Sequence, residues 1–206
     1  MEDEIKSEQP AVDLKRKVLL EVKNFLIDLA FPIMLMLVIS ATILSYASYT
    51  DDIAVSLIAL IGGEIMLAGA LVIFGRANGS TAYNKTMLNA QKRELGSTDE
   101  KVICRTGEYA IWKGVLIGFI LCVPFIIFQI IELCVHNVVT SFCLQYMCGW
   151  AYFPYFYFGA GYQAFSFIMI VLPVGAHTLG YYLGKLKRLK AKEYEETDTK
   201  GKRRRK

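Results

Sequence analysis

Lysine and arginine are missing from two long stretches of this sequence, residues 24–75 and residues 114–184. A soluble chain of 206 residues rarely goes that long without a basic side chain, because its surface needs charge. Histidine is almost absent, with only His136 and His177. No His-Glu-x-x-His, Walker A or G-x-S-x-G motif occurs, so no hydrolase chemistry is indicated and no enzyme is expected. The five cysteines contain no C-x-x-C pair, which excludes zinc knuckles and thioredoxin-type dithiols. No cofactor or metal site is expected.

What is present is apolar. The chain is 54% hydrophobic, with a mean hydropathy of +0.38, and the excess is gathered in blocks longer than the ~18 residues that mark a spanning helix. Four blocks predict spans at about 25–49, 53–74, 109–135 and 158–184, each able to cross a hydrocarbon core of roughly 30 Å. The acidic start Met1-Glu2-Asp3-Glu4 does not look like a signal peptide, so the first span is expected to be retained.

Orientation follows from the basic residues. They fall in three stretches, up to Lys23, from Arg76 to Lys113, and from Lys185 onward. Translocating such stretches is disfavoured, so both termini and the loop 75–108 are expected on the cytoplasmic side of the cell membrane. The turn between the first two spans carries Asp51 and Asp52 instead. The expected fold is therefore an all-α integral membrane protein, a four-transmembrane-helix bundle, N-in and C-in. Its parts are an N-terminal amphipathic segment over 1–24, the bundle over 25–184 and a basic tail over 185–206. Two sequons, Asn78-Gly79-Ser80 and Asn84-Lys85-Thr86, fall in the cytoplasmic loop and should carry no sugar.

The uncharged stretch 138–158 tests the span count. A fifth span would push the basic tail outside, against the charge bias. Trp150, Tyr152, Tyr155 and Tyr157 read as an aromatic belt at the outer interface. A re-entrant hairpin needs its backbone covered by protein.

Outside the spans, Leu14, Val18, Val22 and Phe25 recur once per turn among lysines, as an amphipathic lead-in helix would have them. In the middle loop, Tyr83, Met87, Leu88 and Leu95 share a face of a surface helix ending at Gly96. Ser97-Thr98-Asp99-Glu100 has the pattern of a capping box opening another helix. The tail begins with Lys185, Lys187, Arg188, Lys190 and Lys192, a cluster suited to anionic lipid at roughly 1 kcal/mol per basic residue. It lacks interleaved aromatics, and nucleic-acid binding is not expected.

The polar residues within the spans are the candidate site. Glu64 lies near the centre of the second span, in Gly62-Gly63-Glu64. A carboxylate there costs ~2.5–3.5 kcal/mol to insert, so it should face the bundle interior. The adjacent Gly62 and Gly63 allow close backbone approach. His177, in the fourth span, is the candidate partner for Glu64. Asp28 is placed to pair with Lys113 at the inner boundary. Glu132 and His136 lie near the outer boundary, Gln129 and Gln163 add polar groups in the outer half, and Pro32, Pro124 and Pro173 invite kinks.

Small residues predict packing. Gly114 and Gly118 in the third span, and Ala176, Gly180 and Gly184 in the fourth, repeat at four-residue spacing and matching depth, which predicts close contact between these two helices. Cys134, Cys143 and Cys148 are candidates for an outer disulfide. Two functions fit: a small transporter or membrane subunit of a transport complex around Glu64, or a non-catalytic scaffold acting through the loop and the tail. Four spans rarely enclose a pathway alone, so a homo-oligomer or larger membrane complex is expected.

Overall fold

The computed structural model describes residues 18–19, 21–23, 26–27, 29–43, 45, 53–96, 99, 102, 105, 107–135, 137–151 and 166–203. All regular structure among them is helical. The main elements are α1 (Leu29–Ile43), α2 (Ile53–Glu94), α3 (Ile111–Val135), α4 (Val138–Met147) and α5 (Val171–Arg203). Three stretches, Leu57–Glu94, Ile111–Val135 and Ser166–Glu193, are long and apolar enough to cross a membrane. Large apolar side chains such as Ile58, Ile65, Met66 and Ile73 stay exposed on α2, as lipid contact allows. The chain is a membrane-embedded helical protein.

Helix directions alternate. Phe31 stacks on Phe74 with ring centroids 4.4 Å apart, while a side chain at Gly63 would run into Ile43, so α1 is antiparallel to α2. Phe125 meets Phe167 at 5.9 Å, and Gly118 faces Val174 while Gly114 faces Tyr181, so α3 is antiparallel to α5. The core passes through all of them, from Leu29, Met36 and Ile43 through Leu60, Leu67 and Leu71 to Ile117, Leu121 and Phe125.

The helix α2 is much longer than its apolar part. It runs for 42 residues without a break, roughly 63 Å at 1.5 Å per residue. Most of the predicted loop 75–108 is thus a continuation of the second span, and the predicted surface helix is its far end. No proline interrupts it, and Ala77, Ala82, Met87, Leu88, Ala90 and Gln91 are strong helix formers. It ends where predicted, at Gly96, whose φ of 73° only glycine adopts freely. Of the predicted capping box, only Asp99 lies within the described residues.

Similarly, α5 carries the predicted basic tail as helix to Arg203. The two long helices run parallel in a fixed register. Gly180 packs on Val72, Gly184 on Arg76, and Arg188 Nε donates to Ser80 Oγ at 2.8 Å. Each of these pairs is 108 residues apart. The contact is close because four glycines interlock. Cβ atoms at Gly75 and Gly79 would collide with the backbone of α5, and Cβ atoms at Gly180 and Gly184 with the backbone of α2.

The segment after α3 turns back into the bundle. Asn137 caps α4, its side chain accepting from Val139 N at 3.0 Å. Leu144 is fully buried, and Trp150 is 1% exposed with its ring 5.6 Å from that of Phe125, near the middle of α3. The main-chain oxygen of Ser40 on α1 lies 3.0 Å from where a Cβ on Gly149 would sit. Residues 138–151 therefore fold back against the bundle, with Gly149 packed on α1 and Trp150 on α3. Trp150 is a core residue and not part of an interfacial belt. Tyr152, Tyr155 and Tyr157 lie outside the described residues.

Candidate functional site

Glu64 sits on the core side of α2, one turn above Leu60 and one below Ala68. It lines a cavity of about 260 Å³ between α2 and the start of α5. The other six lining residues, Leu60, Ile61, Ile65, Ala68, Met169 and Leu172, are all apolar. Both carboxylate oxygens are buried and make no hydrogen bond within the structure. The register of the helix pair sets Leu172 opposite Glu64. Of the neighbouring glycines, Gly62 is exposed with open space where a side chain would go, and Gly63 sits against Ile43.

His177 does not reach this cavity. It is fully buried, its main-chain oxygen blocks Gly75, and Gly75 lies eleven residues from Glu64, about 16 Å along the helix. Its Nδ1 is 3.0 Å from the carbonyl oxygen of Gly114. A carbonyl only accepts, so Nδ1 carries the hydrogen. The expected Glu64–His177 pair is replaced by a cross-link between α5 and the first turn of α3.

The predicted contact between the third and fourth spans is present, with a different division of labour. Gly114 and Gly118 do face α5, where their missing side chains admit Tyr181 and the Val174 backbone. Ala176 is half-buried against the same core. Gly180 and Gly184, however, turn to α2. Their partners Gly75 and Gly79 form a G-x-x-x-G that sequence reasoning passed over. The signal was the equal spacing in Gly75-Arg76-Ala77-Asn78-Gly79, masked because Phe74 marks the end of the apolar run.

The basic end of the bundle holds a polar cluster that sequence reasoning also missed. Glu21, ahead of α1, accepts from Gly107 N at 2.7 Å and lies 3.4 Å from Lys113 Nζ. Lys113 was expected to pair with Asp28, which lies outside the described residues. Arg93 bridges Glu108 and donates to Val102 O at 3.0 Å, while Asn89 donates to the same carboxylate at 3.3 Å. Tyr109, just before α3, stacks on Tyr181 at 4.9 Å, takes the Lys185 ammonium over its ring at 5.3 Å, and donates its N–H to Thr86 Oγ1 at 2.8 Å. Burial, with Tyr182 nearby, raises the Tyr109 phenol above its usual 10. Of the predicted lipid-contacting cations, Lys185, Arg188 and Lys192 have partners within the protein, and Lys187 and Lys190 are exposed on α5.

At the opposite end, Glu132 is buried and accepts from the hydroxyls of Thr140 and Ser141, the latter at 2.6 Å. A carboxylate at the N-terminus of α4 also suits the helix dipole. Cys134, Cys143 and Cys148 are all free thiols, so the expected disulfide is not formed. Among the described residues, no group of three or more His, Cys, Asp or Glu side chains is placed to hold a metal ion.

No family model, curated protein or solved structure matches this chain.

Proposed function

We propose that this chain is a four-span protein of the cell membrane with both termini cytoplasmic, acting as a small transporter or as the membrane subunit of a transport complex centred on Glu64. The alternation of α1, α2, α3 and α5 supports four crossings. The basic ends of α2 and α5, lying side by side, support an inward orientation. The observation that carries the functional reading is the buried, unpartnered carboxylate of Glu64 beside a cavity at mid-bundle. Ionisable groups at that depth are costly, and proteins retain them where ions or protons pass. The exposed apolar face of α2 is suited to a second copy or a companion subunit, which would complete a pathway that four helices do not enclose.

The test is reconstitution of the full chain into liposomes loaded with a pH-sensitive dye, with gradients of candidate solutes imposed across them. Solute-driven proton movement in the wild type that disappears in Glu64→Gln, with assembly unchanged, is the expected result. Equal behaviour of the two proteins against every gradient rejects the reading.

A second reading is a non-catalytic scaffold, favoured by the paired helical extensions of α2 and α5. Exposed Lys187 and Lys190 would then meet anionic lipid or an acidic partner. Under this reading Glu64→Gln is tolerated, and truncation of α5 after Gly184 is not.

A further inference from the structure

We propose that the cavity between α2 and the start of α5 is a binding site for the terminal part of one phospholipid acyl chain, which enters sideways from the bilayer. The inference is independent of any transport by Glu64. It begins from the walls. Leu60, Ile61, Ile65, Ala68, Met169 and Leu172 present only hydrocarbon and one thioether. Glu64 adds only its methylenes, since both of its carboxyl oxygens are buried and the wall exposes no polar surface. Water in such a space has no hydrogen-bond partner, and apolar cavities stay dry and take apolar guests. A hydrocarbon chain gains dispersion contact with every wall.

Depth and opening select which hydrocarbon. The α2 wall runs from Leu60 to Ala68, about 12 Å of helix, centred on Glu64 in the middle of its span. Headgroups begin roughly 15 Å from the midplane of a ~30 Å core, so what reaches this depth is the end of an acyl chain. Ile61 and Ile65 belong to the wall and are 54% and 66% exposed. In a membrane-embedded bundle that exposure is to lipid, and the cavity opens sideways. Toward the basic end it is closed, because Gly180 packs on Val72 one turn beyond Ala68. The guest is therefore a wedge between two helices that are locked together over their other half. An apolar cavity of about 150 Å³ takes benzene, so in proportion about 260 Å³ takes roughly ten carbons. That is the far end of one acyl chain, and too little for a sterol or a second chain. Met169, unbranched and able to repack, suits a guest with many conformers.

The experiment places the full chain in nanodiscs of phosphatidylcholine that carries a diazirine near the end of one acyl chain, followed by irradiation and mapping of adducts by mass spectrometry. Adducts are expected on Leu60 and Leu172 inside the cavity. They are also expected on outward-facing Ile58 and Ile73, which any surrounding lipid touches. Leu60 is only 4% exposed, so its labelling reports the cavity and not the surrounding lipid. Ala68→Phe, which fills the cavity, should lower labelling of Leu60 and Leu172 about fivefold or more relative to Ile58 and Ile73, because close-packed walls leave the chain no room. Leu172→Trp, read at Leu60, should do the same and decides the matter if Ala68→Phe does not assemble. A diazirine beside the glycerol should leave Leu60 and Leu172 unlabelled. The proposal is overturned if Leu60 and Leu172 stay unlabelled in the wild type, if the filling variants leave their labelling unchanged, or if both diazirine positions label them equally.

Discussion

The Nδ1–H of His177 donates to the main-chain oxygen of Gly114 across 3.0 Å, tying α5 to the first turn of α3 inside a fully buried site. Glycine at 114 admits the Tyr181 side chain beside this bond, where a Cβ would lie 3.0 Å from it. The imidazole therefore acts as a structural cross-link. Replacing it with alanine removes both the bond and the volume. His177→Ala should lower stability by about 2–4 kcal/mol, with partial recovery in His177→Asn, whose amide can still donate. Denaturant unfolding of the purified protein in detergent is the measurement, and an unchanged midpoint for His177→Ala would reject the cross-link.

The glycine interlock gives a sharp contrast between sites of the same residue type. A Cβ at Gly79 or Gly180 meets backbone of the facing helix, which cannot rotate away, whereas one at Gly62 or Gly69 meets nothing. Gly79→Ala and Gly180→Ala should each cost at least the ~1–3 kcal/mol typical of overpacking. Gly62→Ala and Gly69→Ala should be neutral or stabilising by up to ~1 kcal/mol, because alanine is the better helix former. Thermal unfolding of the four variants side by side separates the two classes. Equal effects would mean that α2 and α5 are not interlocked.

Glu132 holds down the segment 138–151 through Thr140 and Ser141. Glu132→Ala leaves two hydroxyls without this acceptor, at ~1–3 kcal/mol for each group that stays buried and unsatisfied. The segment carries Cys148, which is 3% exposed. Maleimide should label exposed Cys134 in native wild type and spare Cys148, and Glu132→Ala should add labelling at Cys148. Protection of Cys148 in both proteins would show that the clamp is dispensable.

Tyr109 predicts an alkaline effect. Burial first, and Tyr182 second, raise its phenol above the usual 10. The folded state thus holds the phenolic proton more tightly than the unfolded state does. The associated stability is complete below pH ~10 and is lost as pH rises from there through the folded value. Its hydroxyl has no hydrogen-bond partner in the structure, so Tyr109→Phe keeps the stack on Tyr181 and removes the titration. Stability of the variant should equal or exceed wild type at neutral pH and should decline less above pH ~10. Parallel alkaline curves would reject the assignment.

The apolar spans and the mid-span carboxylate were legible because hydropathy and the positions of lysine and arginine report directly on lipid. Gly114 and Gly118 were legible as a packing face. What their spacing could not say was which neighbour each glycine stripe meets. Small residues only permit approach, and the facing backbone is chosen by the whole bundle, so Gly180 and Gly184 went to α2. The continuation of α2 past Phe74 was hidden for another reason. Hydropathy drops at Arg76 while helix propensity does not, and a scale for lipid is silent about a helix in water. Trp150 was misplaced because aromatic composition is the same at an interface and in a packed core. Only its contact with Phe125 distinguishes the two.

The constant offset of α2 and α5 also restricts how the length of this chain can vary. One residue inserted into α2 after Leu71 would rotate everything beyond it by about 100°. Gly75 and Gly79 would swing away from His177 and Tyr181, and Ser80 away from Arg188. An insertion in α5, near Leu179, would restore the axial register but would turn Gly180 and Gly184 by the same angle away from α2, so it could not compensate. Insertions and deletions of one residue in this half of the protein are therefore disruptive in either helix, whereas substitutions on the outer faces of the same helices are free to occur singly.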